Sequence, residues 1–214
     1  MSFIRDFDAR VPASMTASIR FDPLFKAYQT ALETSGNNDD RIVTLVARSP
    51  ASAIAQALLL NLGRFPKHTV NVAMIFGDIG PAQSLTAAYT VLENAGIGNP
   101  EHSIRWARNR ALLEAHERLT LGTVLCWTGD AMRRSEQSRT AIDRVDENHE
   151  LMQAEALSSF AAIWKASKAL PKEVFRRGAQ TVFTEETPAF AAFHAHAVDA
   201  NVINLENYLR GRRH

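Results

Sequence analysis

The sequence predicts an α/β protein, with a largely parallel or mixed sheet covered by helices. Three observations carry that prediction. Two short runs of large or β-branched apolar residues, 42–46 and 70–76, read as buried strands. A helical run rich in Ala and Leu separates them, and a second helical run follows. A third apolar stretch, 103–106, completes the order strand, helix, strand, helix, strand. Crossovers of that length give parallel strands with helices packed on them.

Each element has its own signals. Residues 23–32 place Leu24, Phe25, Tyr28 and Leu32 at helical spacing behind Pro23. This helix and the polar loop 35–40, SGNNDD, form an N-terminal extension over residues 1–40. A single α/β domain with C-terminal helices takes 41–214. Its first strand holds Ile42, Val43, Leu45 and Val46. Ser49-Pro50 then supplies a capping residue and a proline suited to a first helical turn. The helix 51–62 ends at Gly63. After the second strand, Gly77-Asp78-Ile79-Gly80-Pro81 makes a turn, and the helix 83–94 shows Leu85, Ala88, Tyr89 and Leu92 on one face.

The next segment is ambiguous. Residues 110–117 have helix-forming composition but also border a strand-like run. Leu119, Leu121, Val124, Cys126 and Trp127 read as a strand or as a hairpin around Gly122. Thr128-Gly129-Asp130 reads as an exit from that strand, with Asp130 placed to cap a segment over 131–136. Residues 155–170 form an amphipathic helix with Ala156, Phe160, Ile163 and Trp164 inward and Pro171 at its end. Thr187-Pro188 opens a further helix, and the tail RGRRH is basic.

Composition limits function. The 214 residues are 46% hydrophobic and 22% charged, the balance of an ordinary globular chain. The formal charge of +1 gives no global field for nucleic acid or a membrane surface. No apolar run reaches the roughly 18 residues of a membrane span. Asp6 and Asp8 interrupt the start where a signal peptide needs an apolar stretch. One cysteine forms no internal disulfide and no multi-cysteine metal site, which fits a reducing, cytoplasmic setting. The sequence has no phosphate loop, dinucleotide fingerprint, zinc-helix motif or nucleophile elbow, so neither a cofactor nor a metal is expected.

Ligands of open α/β sheets gather beyond the carboxyl ends of the strands, which points to Ser49 and Asp78. Asp78 also suits a plain turn. The other residues able to do chemistry are His116, Arg118, Thr128, Asp130 and Arg133. Each has a bland reading beside the functional one. His116, Arg118 and Arg133 fit a solvated surface, and Trp127 and Cys126 fit the core. His194 and His196, two apart, point to different faces of a helix and make a poor metal pair.

Two stretches carry a family resemblance: Ala115-His116-Glu117-Arg118-Leu119-Thr120-Leu121, and Cys126-Trp127-Thr128-Gly129-Asp130-Ala131-Met132. In order and spacing, over roughly residues 41–168, the chain resembles the phospholipase D-like superfamily. That family carries H-x-K-x4-D on a hairpin and a Gly-Ser-x-Asn turn soon after. His116 and Arg118 fall at its histidine and lysine positions, Gly129-Asp130-Ala131 at its turn, and Asn148 and Glu150 where many members have a polar pair. The departures are specific. Arg118 replaces lysine, Gly122 or Thr123 stands for the aspartate, Asp130 for the serine and Met132 for the asparagine. A second alignment, keyed on Leu112-Leu113, would instead put Asn109 and Ala111 at the histidine and lysine positions.

The resemblance implies metal-independent phosphodiester chemistry. A histidine forms a phosphohistidine, a second copy of the motif supplies the acid, and cations hold the phosphoryl oxygens. With one motif per chain, that site needs a homodimer. Ser49, Asp78, Thr128, Asp130, Arg133 and Glu150 would complete a phosphate or ligand site around His116 and Arg118. Three functions follow. The first is a phospholipase D-like binding or scaffold module without standard catalysis. The second is a homodimeric phosphodiesterase or nuclease built on His116 and Arg118. The third is a nucleic-acid-binding protein using Arg105, Arg108, Arg110, Arg133, Arg134 and the tail, for which the neutral balance is unfavourable.

Overall fold

The computed structural model describes residues 13–35, 37–66, 69–132, 142–147 and 150–176. Strands β1 (Ile42–Ala47), β2 (Asn71–Phe76) and β3 (Ile104–Trp106) pair in parallel, joined by helices α2 (Ala53–Leu62) and α3 (Ala82–Asn94). Strands β4 (His116–Leu121), β5 (Leu125–Ala131) and β6 (Asp143–Glu147) continue the sheet as an antiparallel meander from the other edge of β1. A two-residue strand, β7 (Lys168–Ala169), pairs antiparallel with β3. The order is β6-β5-β4-β1-β2-β3-β7. The fold is therefore α/β with a mixed sheet.

Helices cover both faces. On one face lie α1 (Ala13–Thr34), α2, α3 and α5 (Lys172–Arg176), which share the main core with Val43, Leu45, Met74, Phe76, Leu119 and Trp127. On the other lies α4 (Glu150–Ala166), whose Phe160 and Trp164 pack with Val46, Ile75, Ala107 and Met132. Neighbouring residues of one strand serve opposite layers because strand side chains alternate.

Several boundaries differ from expectation. Helix α1 runs through Pro23 instead of starting there. Phe21, Phe25 and Tyr28, buried at i, i+4 and i+7, fasten both sides of the proline to the core. The helix after β1 begins at Ala53, not beside Pro50, because Ser49 and Ser52 close a turn of their own. Helix α4 starts at Glu150 and ends at Ala166. Its end is fixed by Arg105, whose guanidinium donates to the carbonyls of Trp164 (2.9 Å) and Ser167 (3.3 Å) and lies over the Trp164 ring. Cations are favoured at that terminus.

The ambiguous segment resolves into a 3-10 turn, Arg110–Glu114, followed by a strand from His116. The hairpin forms around Gly122, whose φ of 57° suits glycine. A Cβ at Gly122 would come within 2.5 Å of the Asp40 carbonyl oxygen. Asp130, expected as a cap, lies instead within β5 and is 3% exposed, and residues 133–136 of the segment it would cap lie outside the described residues. The strand continues there because a bulge sets Gly129 and Asp130 against the single Glu117, so Ala131 still pairs with His116. Gly129 leaves room for the Trp127 ring. The expected helix from Thr187, the basic tail, His194, His196 and Arg134 lie outside the described residues.

Candidate functional site

The register of the sheet builds the site. Opposite residues on paired strands face the same side. Beneath α4, one row reads Ala73, Thr44, Thr120, Cys126, Asp146 across β2, β1, β4, β5 and β6. The next row reads Arg105, Ile75, Val46, Arg118, Thr128, Arg144 from β3 to β6. This face is aliphatic at β2 and turns polar from β4 outward.

A cavity of about 270 Å³ opens where the two chemistries meet. Thr44 and Val46 of β1 and His116, Arg118 and Thr120 of β4 line its sheet side. Ala156, Ser159, Phe160 and Ile163 of α4 line the other, and Ala115 adds to the lining beside His116. Exposure grades through it. His116 and Ser159 are exposed at the rim, Arg118 and Ile163 are half-buried, and Thr44, Thr120, Ala156 and Phe160 are buried.

Arg118 is the charged feature of this cavity. Among the described residues, no carboxylate pairs with it. A half-buried guanidinium without a partner favours an anion, and its planar fork matches phosphate or carboxylate. Burial pushes the nearby Cys126 thiol up; Asp146 adds to that, and the Arg118 charge with the Thr120 and Thr128 hydroxyls opposes it. The net effect is upward, which keeps the proton on this buried thiol.

The remaining candidates fall elsewhere. Ser49 and Asp78 stand in the loops after β1 and β2 and do not line the cavity. Asp78 Oδ1 accepts from the Gly80 N–H at 2.9 Å, an Asx turn. Thr128 sits beside Arg118 on β5. Glu150 is the first residue of α4, and Arg133 lies outside the described residues. Arg105 is committed to α4, and Arg108 lies over the Trp106 ring. Glu117, buried, accepts from the Arg48 N–H at 3.0 Å and ties the start of β4 to the end of β1.

Sequence reasoning missed Thr44, Thr120 and the α4 wall. A signal was present: His116, Arg118 and Thr120 alternate with Leu119 and Leu121, the period of a strand with one polar face. Among the described residues no group of three or more His, Cys, Asp or Glu side chains gathers for a metal, and no helix is long and apolar enough to cross a membrane.

No family model, curated protein or solved structure matches the chain.

Proposed function

We propose that this chain is a phospholipase D-like binding module, without that superfamily's standard hydrolysis, that holds a phosphate-bearing ligand at Arg118 and His116. The observation that carries the reading is Arg118 itself: a half-buried cation, opening on a cavity, with no carboxylate partner among the described residues. The positions that depart from the family motif support the noncatalytic form, because each has a structural task. Gly122 makes the hairpin turn, Thr123 binds Asp40, Asp130 is buried in β5, and Met132 is in the core beneath α4.

Titration of the purified protein with inorganic phosphate, followed by calorimetry, tests this reading. Binding is expected, and Arg118→Gln should weaken it about 30-fold, since a charge-assisted hydrogen bond is worth roughly 2 kcal/mol. Equal binding by the variant would remove Arg118 from the site.

One observation favours the homodimeric phosphodiesterase as a second reading. His116 is exposed at the cavity rim, two residues from Arg118, where the imidazole of a second copy could approach it. That reading expects turnover of a chromogenic phosphodiester that survives EDTA and disappears in His116→Ala. Turnover abolished by EDTA would exclude metal-independent chemistry.

A further inference from the structure

We infer that the cavity takes a small alkyl or hydroxyalkyl phosphate monoester, tail first, with its phosphate left near the rim. The inference rests on the reading of Arg118 and His116 as a phosphate site and adds the body and orientation of the ligand.

Three features set the orientation. The groups that would hold a phosphate occupy the outer part, with the His116 imidazole at the rim and the Arg118 guanidinium half-buried behind it. The floor carries no charge. It is built from Phe160 and Ala156 on one side and the cross-strand pair Thr44 and Thr120 on the other. A phosphate driven to that floor would leave both the cation and water, at high desolvation cost. A short apolar tail there is removed from water instead, and a terminal hydroxyl would meet the two threonines.

The buried floor also selects the ester class. An internal phosphodiester needs a path outward for both of its arms. Here the inner residues Thr44, Thr120, Ala156 and Phe160 are buried and the exposed lining, His116 and Ser159, lies at the rim, so one arm enters and the phosphate is a chain terminus. The 270 Å³ amounts to about nine water volumes at roughly 30 Å³ each; with about three to four of them taken by the phosphate and about one per methylene, room is left for a tail of roughly four to six carbons.

The test uses the full chain and a series of probes: inorganic phosphate, then methyl, propyl, butyl, hexyl and octyl phosphate, each titrated by calorimetry. Affinity should rise about four-fold per methylene as the tail enters the floor, then stop rising between butyl and octyl. Ala156→Met fills the floor and should end the rise at a shorter tail, with circular dichroism reporting its fold. The series on the unaltered protein decides even if that variant does not fold. Phosphate binding with an affinity flat across the series would overturn tail-first entry and leave the phosphate site standing. A rise that continues through octyl would place the tail on an open surface and also overturn it. No binding of any probe, phosphate included, would instead refute the phosphate site on which the inference stands.

Discussion

The two halves of one sheet obey different rules. In the parallel half, β1, β2 and β3 meet helices on both faces and are largely aliphatic. In the antiparallel half, one face is equally apolar, with Leu119, Leu121, Leu125 and Trp127 in the main core. Its other face carries Arg118, Thr120, Thr128, Arg144 and Asp146. A sheet needs only one strongly apolar face to be held in place. The second face of β4 and β5 is free to be polar, and the cavity forms at the border with Val46 and Phe160. Binding chemistry has space where folding does not demand the surface.

The sharpest way to break this comparison is to weaken the core that the two halves share. Leu45, fully buried in β1, belongs to the core shared by both halves. Leu45→Ala should cost about 3 kcal/mol, from lost burial and the cavity left behind. The measurement is the urea unfolding midpoint. A single transition shifted for both near-UV and far-UV signals is expected. Separate transitions would show that the two halves fold as independent units.

The halves also differ in how plainly the sequence reveals them. The parallel half was legible because each element is marked several ways: apolar runs in 42–46 and 70–76, helical Ala and Leu between them, and Gly63 at a helix end. The antiparallel half was less so. Strand β6, DRVDE, has one apolar residue and is held by its ladder to β5 and by the Arg20 and Trp127 contacts to Asp143. Those partners are 123 and 16 residues away, so no local pattern contains them. Asp130 read as a cap because the bulge that keeps β5 paired past Gly129 is a tertiary feature. For the site, His116 and Arg118 were visible, whereas Thr44 and the α4 wall depend on which strand and helix lie opposite β4.

A smaller effect probes the joint between α1 and the hairpin. The Asp40 carboxylate accepts from the hydroxyls of Ser35 and Thr123 and from the Thr123 N–H at 3.3 Å, while the Tyr28 hydroxyl donates to the Asp40 carbonyl at 2.5 Å. Burial pushes this carboxyl up, but the hydrogen bonds from Ser35 and Thr123 outweigh it and hold it below the usual value of 3.8. A carboxyl lowered by folding stabilises the protein above its unfolded value. That contribution is lost as pH falls through the folded value, below pH 3.8. Asp40→Asn should cost about 1–2 kcal/mol at pH 7. The difference from wild type, measured by denaturation at each pH, should narrow below pH 3.8. A gap independent of pH would assign the loss to packing and not to charge.

The smallest expected change tests whether the polar face is there for folding at all. Thr120 is 1% exposed, and among the described residues its hydroxyl makes only a 4.0 Å contact to the Cys126 sulfur. A hydroxyl so weakly bonded returns little of its desolvation cost. Thr120→Val keeps the branched shape and replaces the hydroxyl with a methyl group beside Phe160 and Val46. Stability should therefore change by under about 1 kcal/mol, with a gain more consistent with the packing than a loss. A loss near 2 kcal/mol in urea unfolding would give the hydroxyl a structural role and erase the distinction between the halves. A near-zero change leaves Thr120 as a polar residue that folding does not require, at the floor of a cavity whose cation, among the described residues, is Arg118.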